Sequence, residues 1–264
     1  MNNNIFQIFY NDLTKNSNDK GFIQLDNTSN IRKDWSEYWP IRNYLLNNTL
    51  KDDIYYAFLS PKFHEKTGLN SEQVNNILSK SNEDIVSFSP FFDQSAFFLN
   101  IFYQGAANHP SIFECFDKTI RFLDDKLDVN QIVMTSKNTI FCNYFAAKKN
   151  VWIEWFDLCE RIYELSENNN EELGSLLNND VIHSQENYPA KVFVIERIIS
   201  LLLYRNNNLK INASNSINLP FTSAKISNYK NILITLDALK ISFQETSIPE
   251  YIEIYLDMRS KLLK

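Results

Sequence analysis

Residues 139–156 read TIFCNYFAAKKNVWIEWF, and this stretch decides the predicted fold. Most of the side chains in residues 139–148 are β-branched, aromatic or small and apolar, which predicts a buried strand. The residues that follow repeat apolar side chains at helical spacing, and this predicts a helix over 150–166. A short buried strand that leads into an amphipathic helix is typical of α/β proteins.

The same alternation of strands and helices extends in both directions from this stretch. Short apolar runs predict further strands at 5–10, 54–60, 84–89 and 131–136. Apolar periodicity predicts further helices at 35–47, 71–80, 95–105, 111–126 and 192–205. No segment rich in Pro, Gly or Ser divides the chain. The sequence therefore predicts a single α/β domain over residues 1–264, with a central mixed sheet between helices, a core at about 3–205 and C-terminal helices at about 229–264.

Composition and charge exclude several classes of function. The net charge is −6 and Lys and Arg are scattered, so we expect no nucleic-acid partner. The four glycines are not spaced as G-x-G-x-x-G or as a P-loop, which disfavours Rossmann dehydrogenases and P-loop NTPases. The three cysteines lack metal-ligand spacing, which indicates free thiols in a reducing compartment.

The chain also lacks the sequence features of membrane insertion. Its first residues, MNNNIFQIFY, do not form a signal peptide, and no window approaches 18 uninterrupted apolar residues. We therefore expect a cytoplasmic protein without a transmembrane segment, either free or peripheral at the inner face of the membrane. The C-terminal helices have no clustered basic face, which disfavours membrane attachment.

Three segments, taken in order, resemble bacterial polysaccharide-biosynthesis glycosyltransferases of the GT-A fold. They are YYAFLSPKF at 55–63, TSKNTIFCNYFAAKKNVWIEWF at 135–156 and VFVIERIISLLL at 192–203. These families have a segment like C-N-M-F-hydrophobic-x-K before an aromatic-rich helix, and then hydrophobic-x-E-R-L at the start of another helix. The resemblance spans about residues 3–205 and implies a GT-A-like, Rossmann-related domain.

The resemblance also implies an activity. We expect transfer of a sugar from a nucleotide-sugar donor to a glycan or lipid-linked glycan acceptor, in the synthesis of capsule, O-antigen (lipopolysaccharide) or a related surface polysaccharide. A UDP-linked donor is favoured because UDP is the commonest donor in similar enzymes. Two other functions stay open: a non-catalytic nucleotide- or glycan-binding protein of the same fold, and a helical interaction protein. The sequence does not specify the donor sugar and nucleotide, the acceptor, the oligomeric state or the role of the C-terminal helices. It also leaves open inversion versus retention, although inversion with a carboxylate base is favoured.

One departure from the family pattern concerns the metal. Many GT-A enzymes hold Mn²⁺ or Mg²⁺ with an Asp-x-Asp motif after the central strand, but residues 60–63 here contain no carboxylate. An ammonium group can neutralise the charge of a leaving diphosphate as a metal does. We therefore expect a metal-independent enzyme in which Lys62, helped by Arg42, binds the diphosphate, with Mn²⁺ or Mg²⁺ as the alternative. Lys62 can also be simply solvated, and Arg42 can instead form a salt bridge with Glu37.

Two carboxylates are candidates for the catalytic base of an inverting reaction. Glu196 lies in the apolar run FVIERII, where an unpaired carboxylate is costly to bury, so it is either hydrogen-bonded or functional. In similar inverting enzymes the base lies at the start of a comparable helix, which favours Glu196. We do not expect it to pair with Arg197, because adjacent residues of a helix point apart. Asp93, which follows the strand at 84–89, is the reserve candidate, and it also suits a helix N-cap.

Polar residues at predicted strand ends are candidates for donor binding. Asn143 and Tyr144 interrupt an apolar strand and are expected to contact the sugar. Tyr10 and Asn11 end the first strand, where similar enzymes hold the base of the nucleotide, and an aromatic ring suits stacking on uracil. Gln94 is expected to bind sugar hydroxyls.

Overall fold

The computed structural model describes residues 3–168, 171–183, 186–213 and 216–262. The strands are β1 (Asn4–Phe9), β2 (Ile23–Asp26), β3 (Tyr56–Leu59), β4 (Ile85–Ser87), β5 (Phe145–Ala147), β6 (Asp180–His183), β7 (Glu186–Pro189) and β8 (Ile211–Asn212). The helices of the N-terminal half are α1 (Asp12–Ser17), α2 (Tyr38–Asn47), α3 (Phe63–Thr67), α4 (Ser71–Ser79), α5 (Phe92–Phe97), α6 (Ile101–Asn108) and α7 (Phe113–Leu123). Those that follow are α8 (Lys149–Asn168), α9 (Glu172–Asn178), α10 (Ala190–Ile195), α11 (Ile198–Arg205), α12 (Lys230–Thr246) and α13 (Glu250–Leu262).

The main sheet has the strand order β2-β1-β3-β5-β4-β8. Neighbouring strands are parallel except at β5, which runs antiparallel to both β3 and β4. β1 lies between β2 and β3, so the strand that follows β1 in sequence pairs with one edge of β1 and the next strand pairs with its other edge. The mixed central sheet of an α/β protein is therefore confirmed, and the boundary between β1 and β3 is the kind of switch point at which open sheets bind ligands.

Alternation along the strands divides the core between the two faces of the sheet. Phe6 and Phe58 face the larger cluster, which includes Trp152 of α8 with its ring centroid 5.0 Å from that of Phe58. Ile5 and Leu59 belong to a second cluster, with residues of α3 and α4. Successive side chains of a strand point to opposite faces, so strands with apolar residues at every position require cover on both sides.

The C-terminal helices pack on α5 through a third apolar cluster that includes Phe92, Leu236 and Tyr255. Lys240 is completely buried, and its Nζ donates to the carbonyl oxygens of Ser95 (2.5 Å) and Phe98 (2.7 Å). The helical prediction for the tail agrees with α12 and α13 as far as residue 262. None of the helices in the described part of the chain is long and apolar enough to cross a bilayer.

Several predicted elements differ from the structure. The strand predicted at 139–148 is confined to Phe145–Ala147, and the one predicted at 131–136 does not form. The helix predicted at 95–105 is two helices, α5 and α6, because Asn100 is extended and its side chain caps α6. The helix predicted at 192–205 is also divided, into α10 and α11. In both divided helices the apolar run continues through a change of backbone direction, so hydrophobicity alone does not reveal the break.

Candidate functional site

A cavity and a groove lie at the carboxyl ends of β1 and β3. The inner cavity has a volume of about 190 Å³, and its polar lining includes Ser36, Glu37, Ser60, Lys66, Asn143 and Glu196. The outer groove has a volume of about 1120 Å³, and its lining includes Tyr10, Ser36, Glu37, Ser60, Lys62 and Lys66. Because four of these residues line both spaces, the inner cavity and the outer groove form one continuous site.

A second large cavity, of about 900 Å³, is lined by residues of α8, α11 and α12. Three of its charged groups have partners, since Arg205 Nε donates to Asp124 (3.1 Å) and Glu154 accepts from Asn206 (3.2 Å), and Asp157 is exposed. None of the buried unpartnered side-chain atoms found among the described residues lies in its lining. We therefore place the candidate site at the inner cavity, whose lining does contain such an atom.

Glu37 is the most perturbed carboxyl group of the site. It follows a 3₁₀ turn at Lys33–Trp35 and Ser36, which has a positive φ (48°), and it is the N-cap residue of α2. Burial, and then the charge of Glu196, raise its pKa to about 7, although Lys66 and Lys62 offset part of the increase. A carboxyl group that titrates near neutral pH is suited to proton transfer.

An ionic network holds the segment that carries Glu37. Lys191, which lies on α10 and is 3% exposed, donates to Asp34 Oδ2 (2.8 Å) and to Asn178 Oδ1 (2.8 Å). Burial alone would raise the pKa of Asp34, but hydrogen bonds from Arg32 and Lys191 lower it to about 2. Since α10 ends directly before Glu196, the Asp34–Lys191 ion pair links the two segments that carry the carboxylates of the site.

Glu196 lies at the break between α10 and α11, with its side chain 32% exposed. Its Oε2 lies 3.6 Å from Nη1 of Arg197, so the expectation that these neighbours do not pair is wrong. The expectation assumed one continuous helix, whereas the break lets adjacent side chains approach each other. Arg197 is buried and donates to the carbonyl oxygens of Phe193 (2.7 Å) and Ile101 (3.2 Å), which fixes its position beside Glu196.

Asn143 enters the site through an unusual backbone turn. Cys142 (φ 60°) and Asn143 (φ 52°) are consecutive left-handed residues immediately before β5. Each such non-glycine residue costs on the order of 1 kcal/mol, and Asn tolerates this conformation better than most residues. Asn143 is 6% exposed, and its Oδ1 is buried without a hydrogen-bond partner among the described residues. The strained turn therefore places an unsatisfied acceptor at the inner cavity.

Lys66 supplies a cation to both spaces. Its Nζ donates to Cys142 Sγ (3.1 Å), and burial raises the pKa of that thiol to about 12, so the thiol is neutral at pH 7. Burial acts to lower the pKa of Lys66, but Cys142, Glu196 and Glu37 raise it above its usual value. Lys66 therefore stays protonated beside the two carboxylates.

The donor-binding candidates divide into those at the site and those outside it. Tyr10 and Lys62 line the outer groove, and burial raises the pKa of Tyr10, which keeps its hydroxyl neutral. Tyr144 is completely buried, and its hydroxyl lies 2.6 Å from Ser60 Oγ, so it supports the site from behind. Asn11 is exposed and caps α1, where its Oδ1 accepts from Thr14 N (2.9 Å).

Three other candidates line neither the inner cavity nor the outer groove. Asp93 is 1% exposed and accepts from the backbone N–H (3.1 Å) and hydroxyl of Thr222 and from Gln94 (3.0 Å). The hydrogen bonds of the Asp93 carboxylate are therefore made within the contact between α5 and the C-terminal region. The side-chain amide of Gln94 takes part in the same bonds. Arg42 donates twice to Glu160, at 2.8 Å each, so its expected salt bridge with Glu37 does not form.

The sequence interpretation missed two residues of the site. Glu37 lies in the aromatic segment WSEYW, and a carboxylate among aromatic residues is the same signal that singled out Glu196. Lys66 lies in an ordinary amphipathic segment and carries no such signal. Its approach to Cys142 depends on how α3 packs, which the local sequence does not encode.

Comparison with known proteins assigns no family to the chain. No protein-family model matches it, and neither a curated protein nor a solved structure matches it. Within the described ranges, no group of three or more His, Cys, Asp or Glu side chains is arranged to hold a metal ion. The functional interpretation therefore depends on the geometry and chemistry of the site.

Proposed function

We propose that this protein is a glycosyltransferase that transfers a sugar from a nucleotide-sugar donor to a glycan acceptor, with the inner cavity and the outer groove as its active site. The observation that carries the proposal is the clustering of Glu37, Glu196, Lys62 and Lys66 at the carboxyl ends of β1 and β3. Open α/β sheets bind ligands at this edge, and the transfer needs a base for the acceptor and cations for the leaving diphosphate.

The outer groove is proposed to hold the nucleoside diphosphate. Its volume suits a ligand larger than a single ring, and Tyr10 offers an aromatic surface to the base. Lys62 and Lys66 both line the groove, and their ammonium groups can stabilise the charge that develops on the leaving diphosphate. The resemblance favours a UDP-linked donor. The absence of a carboxylate at residues 60–63 favours a reaction without a metal, so turnover should persist in EDTA. Loss of turnover in EDTA and its recovery with Mn²⁺ would contradict the metal-independent reaction.

The carboxylates are proposed to handle the proton of the acceptor. The acceptor oxygen bonds to the anomeric carbon, the bond from that carbon to the diphosphate oxygen breaks, and Glu196 takes the hydroxyl proton. Glu37 holds its own proton up to about pH 7, so it can donate a hydrogen bond to the sugar. Because this role needs protonated Glu37, activity should fall as the pH rises above 7. A rise of activity through pH 7 would assign the base to Glu37 instead.

The first experiment is a thermal-shift screen with UDP, GDP, CMP and dTDP. We expect one nucleotide to stabilise the protein, and hydrolysis or transfer of its sugar form then measures turnover. Glu196→Gln should lower turnover by about 10²-fold or more. The matched control is Glu164→Gln on the exposed side of α8, which should retain full activity.

The possible outcomes separate the candidate functions. Nucleotide binding without hydrolysis or transfer would indicate a non-catalytic nucleotide-binding protein of this fold. Stabilisation by none of the nucleotides would refute the transferase and favour an interaction protein. Unchanged turnover in Glu196→Gln would reject Glu196 as the base.

A further inference from the structure

We propose that the inner cavity binds a sugar ring whose substituents are hydroxyl, amide or ammonium groups, and that it rejects sugars that carry a carboxylate. The inference rests on the proposed function, since it names the class of sugar that the donor carries. It depends on the size of the cavity, on the acceptor oxygens of its lining and on the charge of its two carboxyl groups when both are ionised, above about pH 7.

The size of the inner cavity suits one ring. Its volume of about 190 Å³ is below the range of roughly 300–1,000 Å³ that is usual for sites of drug-sized ligands. A nucleoside with its diphosphate fits only the outer groove, which joins the cavity through Ser36, Glu37, Ser60 and Lys66. A nucleotide sugar that spans both spaces would therefore place its sugar inside.

The lining offers a ligand several hydrogen-bond acceptors. Asn143 Oδ1 is buried and has no partner within the described chain, and Glu37 and Glu196 add carboxylate oxygens. Ser60 Oγ is bonded to Tyr144, and Lys66 uses one of its N–H groups on Cys142 Sγ. A buried acceptor without a donor destabilises the folded state, and a ligand hydroxyl or amide N–H that reaches it is bound correspondingly more strongly.

The charge of the cavity opposes a ligand carboxylate. Burial, and then repulsion by Glu196, have already raised the pKa of Glu37 to about 7. Lys66 is the cation of the lining and faces both carboxylates. The guanidinium group of Arg197 is buried and bonded to Phe193 and Ile101, and it does not line the cavity. At pH 8, where Glu37 and Glu196 are both ionised, a sugar acid would bring a third carboxylate to a space whose lining has one cation.

The test follows the side-chain amide resonance of Asn143 by ¹⁵N NMR at pH 8 in the chain of residues 1–264, so that Glu37 is ionised. UDP is present, and glucose, galactose and N-acetylglucosamine are compared with glucuronate and galacturonate. At least one neutral sugar should shift the resonance, and its sugar acid should need about tenfold or more higher concentration. The control is the amide of Asn138, which lines the separate cavity and should not respond.

Two variants make the test specific. Asn143→Gly keeps the left-handed backbone but removes the acceptor, so perturbation of the Lys66 resonance by the neutral sugar should be lost while UDP binding persists. Glu196→Gln removes one carboxylate and should reduce the preference for the neutral sugar over its acid to about threefold or less. Glu196 is proposed to be catalytic, so this variant is compared in binding alone.

The inference is overturned if a sugar acid shifts the Asn143 resonance at the same or a lower concentration than its neutral form, or if no monosaccharide shifts it. A different outcome is that neutral sugars shift the Asn143 resonance although no nucleotide stabilises the protein in the thermal-shift screen. It would support the sugar preference of the inner cavity and refute the transferase. The two proposals therefore fail in distinguishable ways.

Discussion

Replacement of Glu37 by Gln should stabilise the folded protein above neutral pH and have little effect at pH 4. The carboxyl group has an ordinary pKa of 4.5, which applies to the unfolded chain, and a pKa of about 7 in the folded protein, where burial and Glu196 raise it. Between these values the folded state binds the proton more tightly than the unfolded state. The wild-type protein therefore loses stability as the pH rises from about 4.5 to about 7, and the loss is complete above pH 7.

The size of the effect follows from the difference between the two pKa values. At about 1.36 kcal/mol per pH unit, ionisation of Glu37 costs the folded state about 3 kcal/mol at pH 8. Gln has nearly the same shape and never ionises, so Glu37→Gln should recover about this amount at pH 8. Other titrating groups are common to both proteins, and the difference between variant and wild type isolates Glu37.

The assay is urea unfolding of wild type, Glu37→Gln and the control Glu164→Gln at several pH values between 4 and 8. The free-energy difference between Glu37→Gln and wild type should grow with pH and level off above pH 7. Glu164→Gln should show no such trend, because residue 164 is exposed on α8. A difference that is independent of pH would refute the reasoning, since Glu37 would then titrate alike in the folded and unfolded chains.

Three further substitutions test the contacts that support the site and the C-terminal helices. Lys191→Met should destabilise the protein by about 1–3 kcal/mol in urea unfolding. The loss should be smaller than for a fully buried ion pair, because Asp34 keeps its bond from Arg32. An unchanged free energy of unfolding would show that the ion pair is unimportant. Gly105→Ala should cost about 1–3 kcal/mol, since a Cβ there would lie 2.7 Å from Arg197 Nε, and an unchanged melting temperature would contradict this. Lys240→Met should lower the melting temperature by leaving two buried carbonyls unpaired, at about 1–3 kcal/mol, and a higher melting temperature would refute the role of those bonds.

The elements with a local signal were predictable from the sequence. β1, β3 and β4 correspond to short β-branched and aromatic runs that end at polar residues or proline. The periodicity of α8 also gives a helix close to its true length, Lys149–Asn168 against the predicted 150–166. In these segments the strand or helix pattern and its stop signals agree with the tertiary structure.

The remaining elements depend on contacts that are distant in sequence. Residues 131–136 have the composition of a strand but no neighbouring strand to pair with, so their burial comes from packing instead. The break at Glu196 and Arg197 is not marked by Gly or Pro, and it is held by bonds from Arg197 to α6. A sequence pattern reports local preference, and it does not report which distant segment supplies the partner.

The site shows the same division between local and distant signals. Glu196, Asn143, Tyr10 and Lys62 were singled out as polar residues in or after apolar runs, and the structure places all of them around the same site. Asp93 carried a similar signal but is bonded to Thr222, which is far away in sequence.

The antiparallel strand β5 has a consequence for synthesis of the chain. β1, β2 and β3 are complete by residue 59, but β3 pairs on its other side with residues 146 and 147. During translation, β3 therefore stays an open edge until residues 145–147 have left the ribosome, and such edges template aggregation. Incomplete chains that end before β5 would expose β3, which is fully buried in the complete sheet, to other nascent chains.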